Sequence, residues 1–481
     1  MIGPVVLRRL RQNVGVSSLQ QSKADRADLS DETCGGIMRA AGRTGLKSWT
    51  NRLCRHLTGW GRTFRHRGAK APVVNRSLVV GALLVLSSFS GAAALDPFWS
   101  GEELRAITRL SIAKLHKLLP DPSNRVADDP AAAALGKEFF FDTRFSANGK
   151  VACSTCHMPD HQFQDDLRVG RGIADGTRRT MPIAGTAYLP FFFWDGRKDS
   201  QWSQALGPLE NPLEHGADRT MLVQLIAANY RTEYEAIFGK LPDFGALPPH
   251  AAPVAAPEVA LAWQKLKTEQ KLAVNLAFTN IGKAVAAFER TIAPPATRFD
   301  AFAAALAAND EPAANDIFSA QERNGLKLFL GQGDCVRCHG GPQFTDMRFH
   351  NLGLPDTSRR KDSGRSAAVL ALAQDPFNCL GDYSDAVGPA TCIEVKLLRL
   401  DSPDFLGAFK TPTLRGVSQR PPFMHTGQHA TMQDVLKFYN EAPKAGFGLT
   451  ELGHPLKLSD PQLSDLEAFL ETLNVVGAPA N

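Results

Sequence analysis

Residues 151–164 read VACSTCHMPDHQFQ and residues 333–346 read GDCVRCHGGPQFTD. Each stretch holds a Cys-x-x-Cys-His unit, Cys153/Cys156/His157 and Cys335/Cys338/His339. At this spacing two cysteines bond one haem through thioethers and the next histidine ligates its iron. A zinc site or a redox dithiol is the rival reading of one such unit. Two copies, each followed by Phe-x-Asp (Phe163 and Asp165, then Phe344 and Asp346), favour covalent haem c at both, with His157 and His339 as proximal ligands. An apolar helical run precedes each unit, Ala131 to Phe141 and then, behind the capping box Ser319-Ala-Gln-Glu322, a run to about Leu330. This weak internal repeat predicts a mainly α protein of two similar haem domains, residues 95–312 and 313–481.

Outward from the two motifs the chain stays helical. Ser100-Gly-Glu-Glu103 is a capping box opening an amphipathic helix to about Leu119, and Glu269 to Ile292 reads as one long helix. Pro242 to Pro257 is a Pro/Ala-rich connection, and strand signals are few and short.

The 481 residues are 43% hydrophobic and 21% charged, the composition of a globular protein with room for two or three cores. The net charge of +5 is unevenly placed. Residues 1–74 hold 14 Lys+Arg against 4 Asp+Glu, leaving 40 against 45 for the rest. The larger part is mildly acidic, which removes the case for nucleic acid and suits a basic or neutral protein partner. Asn75 to Leu86 has a basic flank and a short apolar run, and small residues follow to Ala94. That pattern is a secretory signal over 74–94 with cleavage near Leu95, and the expected location is the periplasm. Its apolar run is too short for a stable membrane span, so a retained anchor is the weaker alternative. Residues 1–73 then read as an upstream extension from a mis-set start, with Val73 or Val74 as candidate initiators. Of the eight cysteines, Cys34 and Cys54 fall in that extension and four belong to the haem units. Cys379 and Cys392 remain as a candidate disulfide, with free thiols as the alternative.

Over roughly residues 98 to 475 the chain resembles the bacterial di-haem cytochrome c peroxidases and the related MauG-type methylamine-utilisation enzymes. Beyond the haem units, the resemblance rests on Phe193-Trp-Asp-Gly-Arg197, Gln204 to Glu214, Phe349-His-Asn-Leu-Gly353, Phe409-Lys-Thr-Pro-Thr-Leu-Arg415 and Pro422-Phe-Met-His-Thr-Gly427. It implies two cytochrome c-like haem domains, the first haem reacting with hydrogen peroxide and the second transferring electrons. Trp194 would lie between them, a buried core tryptophan being the alternative. Glu214 would be the acid/base of the distal pocket and Gln204 its polar partner, although either residue read alone is a solvated helix side chain.

Many members of that family block the first iron with a histidine in the loop after the first motif. Here the loop Arg168 to Gly176 has none, which implies a haem open at rest. His215 stands where the family usually has Met, and it is read as a ligand, a hydrogen-bonding neighbour or a structural residue. On the second haem the family's distal ligand position falls at Tyr439, as in MauG-type enzymes, with Met432 and Met424 as rivals and no side-chain ligand as the remaining alternative. A phenolate is a harder donor than a thioether and lowers the haem potential. The family also carries an interdomain calcium held by an Asn side chain and backbone carbonyls. The matching positions are Thr180, Arg420 and Pro422, and Thr is a poorer donor than the amide it replaces. The surface Trp through which MauG-type enzymes oxidise a bound protein is Gly333 here.

The expectation is therefore an exported di-haem c-type peroxidase that reduces hydrogen peroxide with electrons from a small redox protein, a cytochrome c or cupredoxin. A MauG-like oxidase acting on a partner protein and a non-catalytic electron-transfer cytochrome are the alternatives. Homodimers occur in the family, but no residue of this chain demonstrates one.

Overall fold

The computed structural model describes residues 98–475 except 255, 356–360, 389 and 445–447; the expected extension and signal segment lie outside the described residues. Helices dominate. Among the described residues the one paired ladder is a two-residue antiparallel strand pair, in register Phe349 with Lys410 and His350 with Phe409.

The helix before each haem motif is built alike. Pro130–Phe141 starts with Asp129 accepting from the amides of Ala131 and Ala132 and with Pro130 in the first turn, where its missing N–H costs nothing. Ala320–Leu330 starts with the Ser319/Glu322 capping box. Each then crosses a second helix at a glycine. A Cβ on Gly136 would stand 1.8 Å from the Ala284 carbonyl oxygen in Thr268–Glu289, and one on Gly325 would stand 1.9 Å from that of Asp465 in Asp460–Glu471. No side chain fits either crossing.

Two large hydrophobic cores result among the described residues, with a small third cluster of Val126, Ala132 and Ala287. The first gathers Phe139, Phe140, Trp202, Leu222 and Phe278, and it also takes in Phe377 from far along the chain. The second gathers Phe302, Phe318, Phe329, Phe344 and Phe469, together with Trp99, Ile107 and Leu110 from the start of the described chain. In it Phe302 and Phe318 stack at 4.0 Å, while Phe344 meets Phe299 edge-on at 5.2 Å.

Local expectations hold where the signal is local. The Ser100/Glu103 capping box is present, but its helix is Gly101–Leu110 and does not continue to Leu119. Ser111 caps a new 3-10 turn there, and the Ile112 amide turns away to donate to Asp300 Oδ1 at 2.7 Å. The long helix runs Thr268–Glu289. The Pro/Ala-rich connection is more than a spacer, because Leu241, Phe244, Leu247 and Ala251 are buried in the first core. Cys379 and Cys392 form a disulfide with Cα atoms 5.6 Å apart. No helix among the described residues is long and apolar enough to cross a membrane.

Candidate functional site

The two Cys-x-x-Cys-His units repeat one construction. Each begins with a single helical turn that returns the histidine amide to the first cysteine, His157 N–H to Cys153 O at 2.9 Å and His339 N–H to Cys335 O at 2.8 Å. The chain then bends through a left-handed phenylalanine, Phe163 at φ 57° and Phe344 at φ 52°. That bend aims the phenylalanine carbonyl back at the ring. His157 Nδ1 lies 3.0 Å from Phe163 O, and His339 Nδ1 lies 3.1 Å from Phe344 O. A carbonyl only accepts, so Nδ1 carries the proton and Nε2 keeps its lone pair. Burial pushes both imidazoles below their ordinary pKa, which favours the neutral ring that ligates iron.

None of the four motif cysteines is in a disulfide. Burial lifts the thiols of Cys153, Cys156 and Cys335 instead, Cys156 to about 11 and Cys335 to about 12. A redox dithiol requires the opposite shift. Around the second unit the protein encloses a largely apolar cavity of about 1120 Å³, into which Cys335, Cys338 and His339 open. Its size and lining suit a bulky planar cofactor. These donors fit haem c: two thiols for thioether bonds and one oriented imidazole in each unit.

Tyr439, Met424 and Met432 all line that cavity with His339. The geometry brings the three rival ligands together. Tyr439 comes from the helix Met432–Glu441, started by the Thr431/Asp434 capping box. Burial holds its phenol well above the usual range.

Glu214 follows the helix Gln201–Glu210, and Gln204 lies half-buried on that helix. Asn211 Nδ2 donates to Glu214 Oε1 at 2.6 Å. Burial raises the Glu214 carboxyl, while the Arg197 charge and the Asn211 hydrogen bond pull it back. It is near enough to the first unit to act electrostatically on Cys153 and Cys156. The histidine-free loop is fastened beside it, Ile173 N–H to Glu214 O at 2.9 Å and Ala174 N–H to Leu213 O at 3.0 Å. His215 is buried with Nδ1 3.1 Å from the Phe145 carbonyl, and burial, aided by the neighbouring His157, holds its imidazole below the ordinary pKa.

Trp194 lines the second cavity. Its indole N–H donates to Arg179 O at 2.8 Å, and its carbonyl accepts from Lys410 N–H at 2.7 Å. The expected calcium donors are arranged otherwise. Thr180 Oγ1 donates to Asp165 Oδ2 at 2.5 Å. The carbonyls of Arg420 and Pro421, rather than Pro422, converge on the Arg179 guanidinium.

Four residues with no role in the sequence reading join these groups. Arg197 stacks its guanidinium 3.5 Å from the Phe193 ring and pairs with Asp195. Lys410 is buried, donates to Phe191 O at 2.9 Å, and is pushed down to about 7 by burial. Glu289 is a buried acid pushed up to about 8 by burial and acts electrostatically on Cys153. Arg179 is the fourth. Arg197 and Lys410 stood inside quoted motifs, whereas Glu289 and Arg179 had no sequence signal.

A family model described as di-haem cytochrome c peroxidase matches residues 130–308. The chain is 31% identical over 381 residues to the cytochrome-c peroxidase IdrP1 of Denitromonas iodatirespirans, covering 76% of this chain and 88% of that protein. It is 29% identical over 403 residues to the methylamine utilization protein MauG of Methylorubrum extorquens, covering 82% and 92%. Among solved structures, the diheme peroxidase BthA of Burkholderia thailandensis matches with a TM-score of 0.52 at 23% identity, over 74% of this chain and 89% of that one, a likeness of fold. The doubled motif, the helical architecture and these relatives agree: the chain belongs to the di-haem cytochrome c peroxidase family, peroxidase-type oxidoreductases with two c-type haems.

Proposed function

We propose that the unit Cys153/Cys156/His157 holds the peroxide-reactive haem and that Cys335/Cys338/His339/Tyr439 holds the electron-transfer haem, in domains divided near residue 312. The observation that carries this assignment is Glu214, a carboxyl raised by burial, steadied by Asn211 and fastened beside a loop without histidine. Bound haem supplies a redox-active iron at which the O–O bond of hydrogen peroxide is cleaved; two electrons and two protons complete its reduction to two waters. Glu214 takes the proton from one peroxide oxygen and delivers it to the other. Gln204 holds the departing water by hydrogen bonding. His157, with Nδ1 fixed on Phe163 O, presents Nε2 to the iron. His215, its Nδ1 on Phe145 O, is a structural neighbour in this reading.

Trp194 would carry electrons between the haem pockets, and Tyr439 would ligate the iron of the second. The electrons come from a small redox protein, a cytochrome c or cupredoxin, and the enzyme works in the periplasm after removal of the 74–94 segment. The second reading, oxidation of a partner protein as by MauG, is favoured by Tyr439 alone. Against it stands Gly333, where a Cβ would meet Leu328 O at 2.8 Å and Cys335 Sγ at 3.1 Å. A tryptophan there would displace backbone beside the haem cysteine.

The test is rapid mixing of the fully oxidised holoprotein with hydrogen peroxide. The expected result is a fast change in haem absorption without prior reduction. A protein inert until reduced would refute the open site, and reactivity without turnover on any reduced cytochrome c or cupredoxin would favour protein oxidation.

A further inference from the structure

Arg179 is buried, 4% exposed, yet among the described residues its guanidinium makes no ion pair with a carboxylate. It is spent on backbone carbonyls. Nη2 donates to Asp165 O at 3.0 Å, Arg420 O at 3.1 Å and Pro421 O at 3.0 Å, and Nη1 donates to Leu167 O. Two of these oxygens follow the first haem motif directly. The other two come from a segment more than 240 residues later, in the neighbourhood of the second cavity.

Converging backbone carbonyls from separate segments are the donor set of a hard cation such as calcium. Here a side chain supplies the cation. A divalent ion does not fit the same place for three reasons. The carbonyls already bond to N–H groups at hydrogen-bond lengths. The Thr180 hydroxyl is engaged with the Asp165 carboxylate. Finally, the Arg420 guanidinium is buried nearby, donating to Gly416 O, Gln164 Oε1, Thr413 O and Arg415 O, so an ion would face two guanidinium charges. Burial lowers the Arg179 pKa to about 10, which leaves it cationic at neutral pH.

We propose that Arg179 replaces a bridging divalent ion, joining the segment after the first haem motif to the 420–421 segment so that the enzyme is assembled without calcium. Its backbone extends the bridge: the Arg179 amide donates to His425 O at 2.8 Å and its carbonyl accepts the Trp194 indole N–H. One residue therefore ties both haem-bearing segments to Trp194. Removing the guanidinium leaves four carbonyls and the Asp165 carboxylate, a donor set calcium can use.

The test uses purified holoprotein carrying both haems. Wild type is expected to contain no stoichiometric calcium by elemental analysis and to melt at the same temperature with excess EGTA or excess calcium chloride. Arg179→Ala is expected to melt lower, by on the order of 5 °C, and to be raised by calcium chloride, whereas the wild type is not. Wild type holding about one calcium per chain, or losing thermal stability in EGTA, overturns the proposal. So does Arg179→Ala melting with the wild type in the absence of calcium. If that variant does not fold, the wild-type calcium content and EGTA response decide alone.

Discussion

The indole N–H of Trp194 donates to the carbonyl oxygen of Arg179 at 2.8 Å, while the Trp194 ring lines the cavity that holds Cys335, Cys338 and His339. The hydrogen bond fixes the ring plane. His425 meets that ring edge-on at 6.4 Å and itself stacks on Phe409 at 3.7 Å. Trp194→Phe keeps an aromatic ring but loses the N–H and the more readily oxidised indole. Steady-state turnover with a reduced cytochrome c should fall tenfold or more, a barrier change of about 1.4 kcal/mol. The first reaction with peroxide in rapid mixing should remain close to wild type. A variant slowed equally in both assays would place Trp194 in folding rather than electron transfer.

Glu214 must begin as a carboxylate if it is to accept a proton from peroxide. Burial raises its pKa above the ordinary carboxylate range, against the pull of Arg197 and Asn211. The rate of peroxide reaction should therefore be full above that raised pKa and fall as pH drops through it. Glu214→Gln should lower the rate by about 10²-fold or more and flatten this acid limb, with haem content unchanged. Asn211→Ala should move the limb to higher pH, since the hydrogen bond at 2.6 Å favours the charged form. A Gln variant that keeps the wild-type pH profile would remove Glu214 from the chemistry.

How much of this was legible in the chain follows from the range of each signal. The haem units, the Ser100/Glu103 and Ser319/Glu322 capping boxes and the Cys379–Cys392 pair are all written within a few or a dozen residues. The capping boxes and the disulfide read correctly, and the relatives agree with two c-type haems. The Phe-x-Asp repeat was visible as a pattern, but its meaning, a left-handed Phe whose carbonyl orients the histidine, needs φ angles that a sequence does not print. The end of the first helix at Leu110 depends on Asp300, 188 residues away, drawing off the Ile112 amide. The Arg179 cage likewise spans separations of 12 to 242 residues, and nothing local marks an arginine as a bridge.

The distal ligand of the second haem can be decided among three side chains in one cavity. A phenol held above its usual pKa by burial stays protonated unless a cation faces it. Tyr439→Phe should therefore alter the ferric absorption and paramagnetic-resonance signals of one haem and raise its potential. Met432→Leu and Met424→Leu should leave those signals unchanged. An unaltered spectrum in Tyr439→Phe, with a changed one in either methionine variant, would transfer the role.

Asp300 and Arg415 form a bidentate pair beneath the second core, Arg415 Nη1 to Asp300 Oδ2 at 2.7 Å and Nη2 to Oδ1 at 3.0 Å. The same carboxylate accepts from the Ile112 amide at 2.7 Å and the Thr297 amide at 2.8 Å, so it joins the turn after the first helix to the start of Arg298–Ala307. Burial pushes its pKa upward, but Arg415 and the two amides outweigh burial and hold it below the ordinary carboxylate range. A depressed acid stabilises the fold above its unfolded pKa, near 3.9, and loses that contribution as pH falls through the lower folded value. Asp300→Asn keeps the shape and leaves the Arg415 charge buried without its partner, a loss of about 3–5 kcal/mol. Chemical denaturation of the holoprotein should show that deficit at pH 7. The gap between variant and wild type should close as pH is lowered below 3.9 toward the folded pKa. Equal denaturation midpoints at pH 7 would mean that the pair is not what holds the first helix to the second core.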